Sequence, residues 1–209
     1  MSTSPTEPAL EPALTLLSHT SLASPAATTS AAAGAMAGWL VAHVCHENLE
    51  HCGSAKAEDE LRAIRDRALS LRRDLLALVD RLDDAARAVA DAQRSSRLPG
   101  DLAGERLRAL LFASEVPLRC AESCHALLNL AMKALGKVGV RGIADIGTAT
   151  ALAFAGVVGG SVTARAYLAG FPAGHGMDVT ITRKRAERIF REAEAVRTQI
   201  TDRVRQHLP

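Results

Sequence analysis

The chain has 209 residues and a formal net charge of +2, with 48% apolar residues but only 3% aromatic. β-Sandwiches and barrels draw on β-branched and aromatic side chains, and this composition supplies too little to pack one. Collagen-like, disulfide-scaffold and wholly disordered chains fail on composition too, and the near-neutral balance leaves no electrostatic footprint for nucleic acid. An Ala- and Leu-rich chain of this length predicts an all-α, single-domain bundle of long helices. Its four cysteines, Cys45, Cys52, Cys120 and Cys124, sit in a chain whose first residues carry no basic n-region, which points to a reduced, cytoplasmic protein.

In chain order, residues 1–9 read as a disordered leader before a helical domain over 10–209, because Ser, Thr, Pro and Glu there have little to bury. Leu10 to Leu17 suit a short helix, and the small polar stretch from Thr20 to Ser30 reads as an interruption. A helix over about 30–49 begins almost without side chains. Gly34 and Gly38 inside it, each costing about 1 kcal/mol against Ala, imply that another backbone or a ligand comes close. A helix over about 58–93 follows from the stripe Leu61, Ile64, Ala68, Leu71, Leu75, Val79 and Leu82. Pro99-Gly100 ends it. Two helices are then predicted, over about 101–113 and 115–137, with Pro117 near the start of the second. Gly136, Gly139 and Gly142 mark a connection before a small-residue helix over 143–168. Pro172 to Met177 reads as a loop, and the last helix, about 178–206, buries Ile189, Phe190, Ala193, Val196 and Ile200.

Two uncharged runs, 21–42 and 146–164, approach the length of about 20 residues that crosses a bilayer. Their Ala, Gly, Ser and Thr content gains little from lipid, so the expectation is buried helices and no membrane insertion. The helix over 143–168 is apolar on every side and needs cover, part of which a partner subunit would supply.

His43, Cys45, His46, His51 and Cys52 cluster, but their spacing does not converge on the three or four ligands of a metal site. Cys120, Cys124 and His125 offer a thiol beside an imidazole, against the plainer reading of a core stripe continued by Leu127 and Leu128. Asp145 stands out as the sole acid between Glu122 and Asp178. It reads either as a helix-terminal acid that caps or meets the dipole, or as a carboxylate tuned for proton transfer. Arg165 lies 20 residues on, about 30 Å along one helix, so one chain cannot close both around a small group; an antiparallel partner helix can.

Several stretches together resemble the cyclodeaminase/cyclohydrolase family, over about residues 10–205. These are Glu115-Val116-Pro117-Leu118-Arg119 with Ala121-Glu122, then Ile143-Ala144-Asp145-Ile146-Gly147, the small-residue helix ending on Arg165, Ser30-Ala31-Ala32-Ala33-Gly34, and the helix around Leu71 to Asp80. The resemblance implies an all-helical homodimer with a tetrahydrofolate derivative as substrate or cofactor and no metal. The reaction implied is ammonia loss from 5-formiminotetrahydrofolate or hydrolysis of 5,10-methenyltetrahydrofolate. It makes Asp145 the acid/base, with Ser30 and the loop before it contacting the folate and Arg165 pairing with an anionic part of it; Thr28, Thr29, Arg141, Thr163 and Tyr167, which depart from the family's residues, are substrate-binding positions where specificity changes.

The departures bear on substrate. Ala27-Thr28-Thr29 stand where the family has three glycines, Gly139-Val140-Arg141 replace Asn-Pro-Asn, Thr163 and Tyr167 replace the two Asn flanking the family's Arg, and Leu82 replaces an Asp. Two other readings therefore stand beside the folate enzyme: the same scaffold turned to a non-folate small molecule in specialised biosynthesis, and a non-catalytic dimeric helical protein.

Overall fold

The structure, a computed structural model, describes residues 25–51, 53–95, 102–171 and 176–207. The expected leader and the short Leu10–Leu17 helix lie outside these. The described residues form five long helices: α1 Pro25–Glu47, α2 Ala55–Ser95, α3 Leu102–Leu135, α4 Val140–Leu168 and α5 Met177–His207, with a 3₁₀ turn Leu49–His51 after α1.

Two expectations are corrected. The stretch up to Ser30 does not interrupt helix from Pro25 onward: α1 opens on that proline, whose missing N–H costs nothing at a helix start, so Thr28 and Ser30 lie in its first turns. The two helices expected on either side of residue 114 are one, with Pro117 in its interior. Burial overrides the local penalty, because Val116, Leu118, Cys120 and Ala121 are almost wholly buried. The Pro117 carbonyl also packs against α4, where a methyl built on Gly160 would lie 2.6 Å from it.

Helix α1 touches α2, α3 and α4, and glycines set the spacing. A methyl on Gly34 or on Gly156 would fall 2.4 Å from Cys124 Sγ, so that sulfur is wedged among α1, α3 and α4. One on Gly38 would lie 3.1 Å from the Ala68 carbonyl of α2. The glycines of α1 thus admit neighbouring helices. Helix α5 is pinned to α3 by Arg185, whose Nε donates to Glu122 at 2.5 Å and whose Nη1 donates to Glu115 at 3.2 Å; Thr182 donates to the same Glu115 at 3.1 Å. At the other end, the Gly139 amide donates to Asn48 Oδ1 at 3.2 Å, fastening the start of α4 to the end of α1.

By length and composition α4 is apolar enough to cross a membrane, and 39% of its most apolar window is buried in the bundle. Between Asp145 and Arg165 the exposed residues of α4, among them Ala151, Ala155 and Val162, carry no charge.

Candidate functional site

Asp145 is not a cap. Helix α4 begins at Val140 with Gly139 as its N-cap, and no acid lies in its first turn. That places Asp145 in the second turn, half-buried, with no hydrogen bond or ion pair among the described residues. Arg141 lies one turn before it on the same face, exposed, and makes no ion pair there either. Arg165 occupies the last turn, where a cation suits the helix dipole.

The expected binding residues divide between the two ends of α4. Helices α1 and α4 run antiparallel, with Val44 against Gly142 and the Ser30 carbonyl against Gly156. In that register Asp145 and Arg141 lie beside the C-terminal half of α1. Thr163, Arg165 and Tyr167 lie at the other end, about 27–33 Å away at 1.5 Å per residue, and Thr28, Thr29 and Ser30 lie short of it, level with Gly156 to Gly159 and about 17–21 Å from Asp145. Ser30 turns inward: its hydroxyl donates to the Ala26 carbonyl at 2.6 Å and its side chain packs on Gly159. Thr28 and Thr163 are buried, Thr29 and Arg165 are exposed, and Tyr167 is half-buried, with burial pushing its phenol up. The Thr28 and Ser161 hydroxyls are buried without a hydrogen-bond partner.

The structure adds a feature that spacing in the sequence does not show. An open groove of about 540 Å³ runs over the small-residue face of α1, floored by Ala32, Ala35, Met36 and Trp39. Leu76 and Arg72 of α2 wall one side, Thr148 and Leu152 of α4 the other. Asp145 shares the face of Thr148, one turn away. Met36 and Trp39 are 59% and 50% exposed, so a large apolar area here is uncovered by this chain. Trp39 stacks on His43 at 5.1 Å between ring centroids and 5° between planes. The single Trp of the chain, set among residues without bulk, was the signal available in the sequence.

The other clusters resolve into structure. Cys45 is buried, which pushes its thiol up to about 12. Cys124 is raised as well, through its hydrogen bond with Cys120 and its burial. Cys120 and Cys124 lie in the core, as the stripe reading has it, and Cys45 is buried as well. No group of three or more His, Cys, Asp or Glu is placed to hold a metal among the described residues, and Cys52 lies outside them.

The family profile of formiminotransferase-cyclodeaminase matches residues 16–171. The methenyltetrahydrofolate cyclohydrolase of Methylorubrum extorquens is 28% identical over 132 residues, which are 61% of this chain and 64% of that protein. The alignment thus spans just under two thirds of that relative. The crystal structure of formiminotetrahydrofolate cyclodeaminase from Thermotoga maritima superimposes with a TM-score of 0.76 at 20% identity, covering 99% of this chain and 96% of that one. That likeness carries the fold, and the profile match carries the assignment: the chain belongs to the formiminotransferase-cyclodeaminase family.

Proposed function

We propose that this protein is a cyclodeaminase/cyclohydrolase-type enzyme that moves a proton at the one-carbon unit of a tetrahydrofolate, within a site completed by a second copy of the chain. The observation that carries the reading is Asp145, an unpaired, half-buried carboxylate with no capping role, one turn from a groove whose apolar floor includes Trp39. A flat heterocycle suits that floor, and a carboxylate at its rim suits proton transfer. In ammonia elimination N10 adds to the formimino carbon, the Asp145 carboxylate takes the N10 proton and hands it to the departing nitrogen, and the C–N bond breaks to release ammonia. In hydrolysis the same carboxylate takes a proton from the water that adds to the methenyl carbon. Arg72 is the charged group of the groove lining and faces an anionic portion of the ligand.

The second copy follows from the division of the site. The side of α4 between Asp145 and Arg165 carries no charge. Two such helices laid antiparallel about a twofold axis cover each other's apolar face and bring Asp145 beside the partner's Arg165. Both halves of the site then meet at each end of the interface. Helical Ala27-Thr28-Thr29, in place of a glycine run, favours a second reading in the same family: a pocket altered for a non-folate molecule.

Trp39 reports directly on the first reading. Titration of the purified protein with tetrahydrofolate is expected to quench its fluorescence saturably, and an unchanged signal up to millimolar folate leaves the non-folate reading in its place.

A further inference from the structure

We propose that the cleft between α2 and α3 binds a small oxyanion, a carboxylate or phosphate group, held between Arg81 and Arg119. The cleft has a volume of about 360 Å³, with Asp74 and Arg81 on its α2 wall and Arg119, Glu122 and Ser123 on its α3 wall. It is separate from the groove described above. Arg72 and Arg81 are nine residues apart on α2, about two and a half turns at 3.6 residues per turn, so they face opposite sides of the helix.

The charges in the cleft are unevenly used. Glu122 is committed to Arg185 at 2.5 Å. Arg119, one turn before it, makes no ion pair or hydrogen bond among the described residues, and neither does Arg81 or Asp74. Two carboxylates therefore line the cleft without either closing on the two guanidiniums. The arginines of α2 that form ion pairs among the described residues do so along their own helix, Arg62 with Glu58, Arg65 with Asp66, Arg87 with Asp83 and Arg94 with Asp91. A planar guanidinium presents its N–H groups in a fork that matches the oxygens of a carboxylate or phosphate, and two forks on opposite walls define a receptor for one such group. The Ser123 hydroxyl adds a donor. Asp74 opposes a bare polyanion and favours an anion that also carries a hydroxyl or ammonium donor.

The test uses the full chain, with inorganic phosphate and malate as probes, and reads thermal unfolding at constant ionic strength. A saturable rise in Tm is expected, larger with malate if a hydroxycarboxylate is the ligand class and larger with phosphate if a phosphate group is. Arg119→Gln and Arg81→Gln each weaken the half-saturating concentration about tenfold, the loss of one charge-assisted pair. Asp74→Asn tightens phosphate, and Arg94→Gln on exposed α2 surface changes neither probe. The proposal is overturned if neither probe gives a saturable rise, or if the two cleft variants respond as the unaltered chain does. Folate plays no part in this measurement, so its outcome is independent of the reading of the groove.

Discussion

Cys124 shows how much of this bundle rests on single atoms. Its sulfur occupies the space that a methyl on Gly34 or Gly156 would need. Gly34→Ala and Gly156→Ala are each expected to lower stability by about 1–3 kcal/mol through overpacking. Adding Cys124→Ala is expected to restore part of that loss, seen as positive coupling in a urea-unfolding double-mutant cycle. Cys45 makes a second residue-scale prediction. Burial raises its folded pKa to about 12, against about 8.5 in an unfolded chain. The folded state holds the proton more tightly, so this thiol's contribution is intact below about pH 8.5 and is lost as pH rises toward 12. The native protein is expected to resist thiol reagents at Cys45 at pH 8, and Cys45→Ala to flatten the alkaline loss of stability. Labelling followed by mass spectrometry, and unfolding curves across pH, check the two halves.

At the scale of elements, apolar periodicity foretold α2, α4 and α5 to within a few residues, because each carries a continuous stripe or an uninterrupted small-residue run. It missed the first turns of α1, where Thr28, Thr29 and Ser30 show no stripe although Thr28 and Ser30 are buried. It split α3 at Pro117, since the packing of Gly160 on the Pro117 carbonyl involves a helix more than 40 residues away in sequence. Glu115 and Glu122, which stood out in the sequence as part of a family motif, prove to fasten α5 through Arg185. Arg185→Met is therefore expected to cost about 1 kcal/mol, the upper range for a partly exposed pair, measured by chemical denaturation. The isolation of Asp145 was legible from spacing alone. The groove beside it was not, because its lining comes from three helices whose register only the fold sets.

At the scale of the whole molecule, the proposed site, with Asp145 and Arg165 near opposite ends of α4, is expected to be complete only when two copies pair. Val162 is 56% exposed on the uncharged side of α4, outside the groove. Val162→Glu is expected to yield a folded monomer without turnover, with mass read by light scattering and helicity by circular dichroism. The central claim concerns proton transfer by Asp145 on a one-carbon tetrahydrofolate. Its most direct test compares the unaltered protein with Asp145→Asn for hydrolysis of 5,10-methenyltetrahydrofolate and for ammonia release from 5-formiminotetrahydrofolate. The account predicts turnover of one of the two by the unaltered protein and a loss of about 10²–10⁴-fold in the variant, the range for a removed general acid or base, with oligomeric mass unchanged. Turnover of neither compound by the unaltered protein, or an undiminished rate in Asp145→Asn, would contradict it.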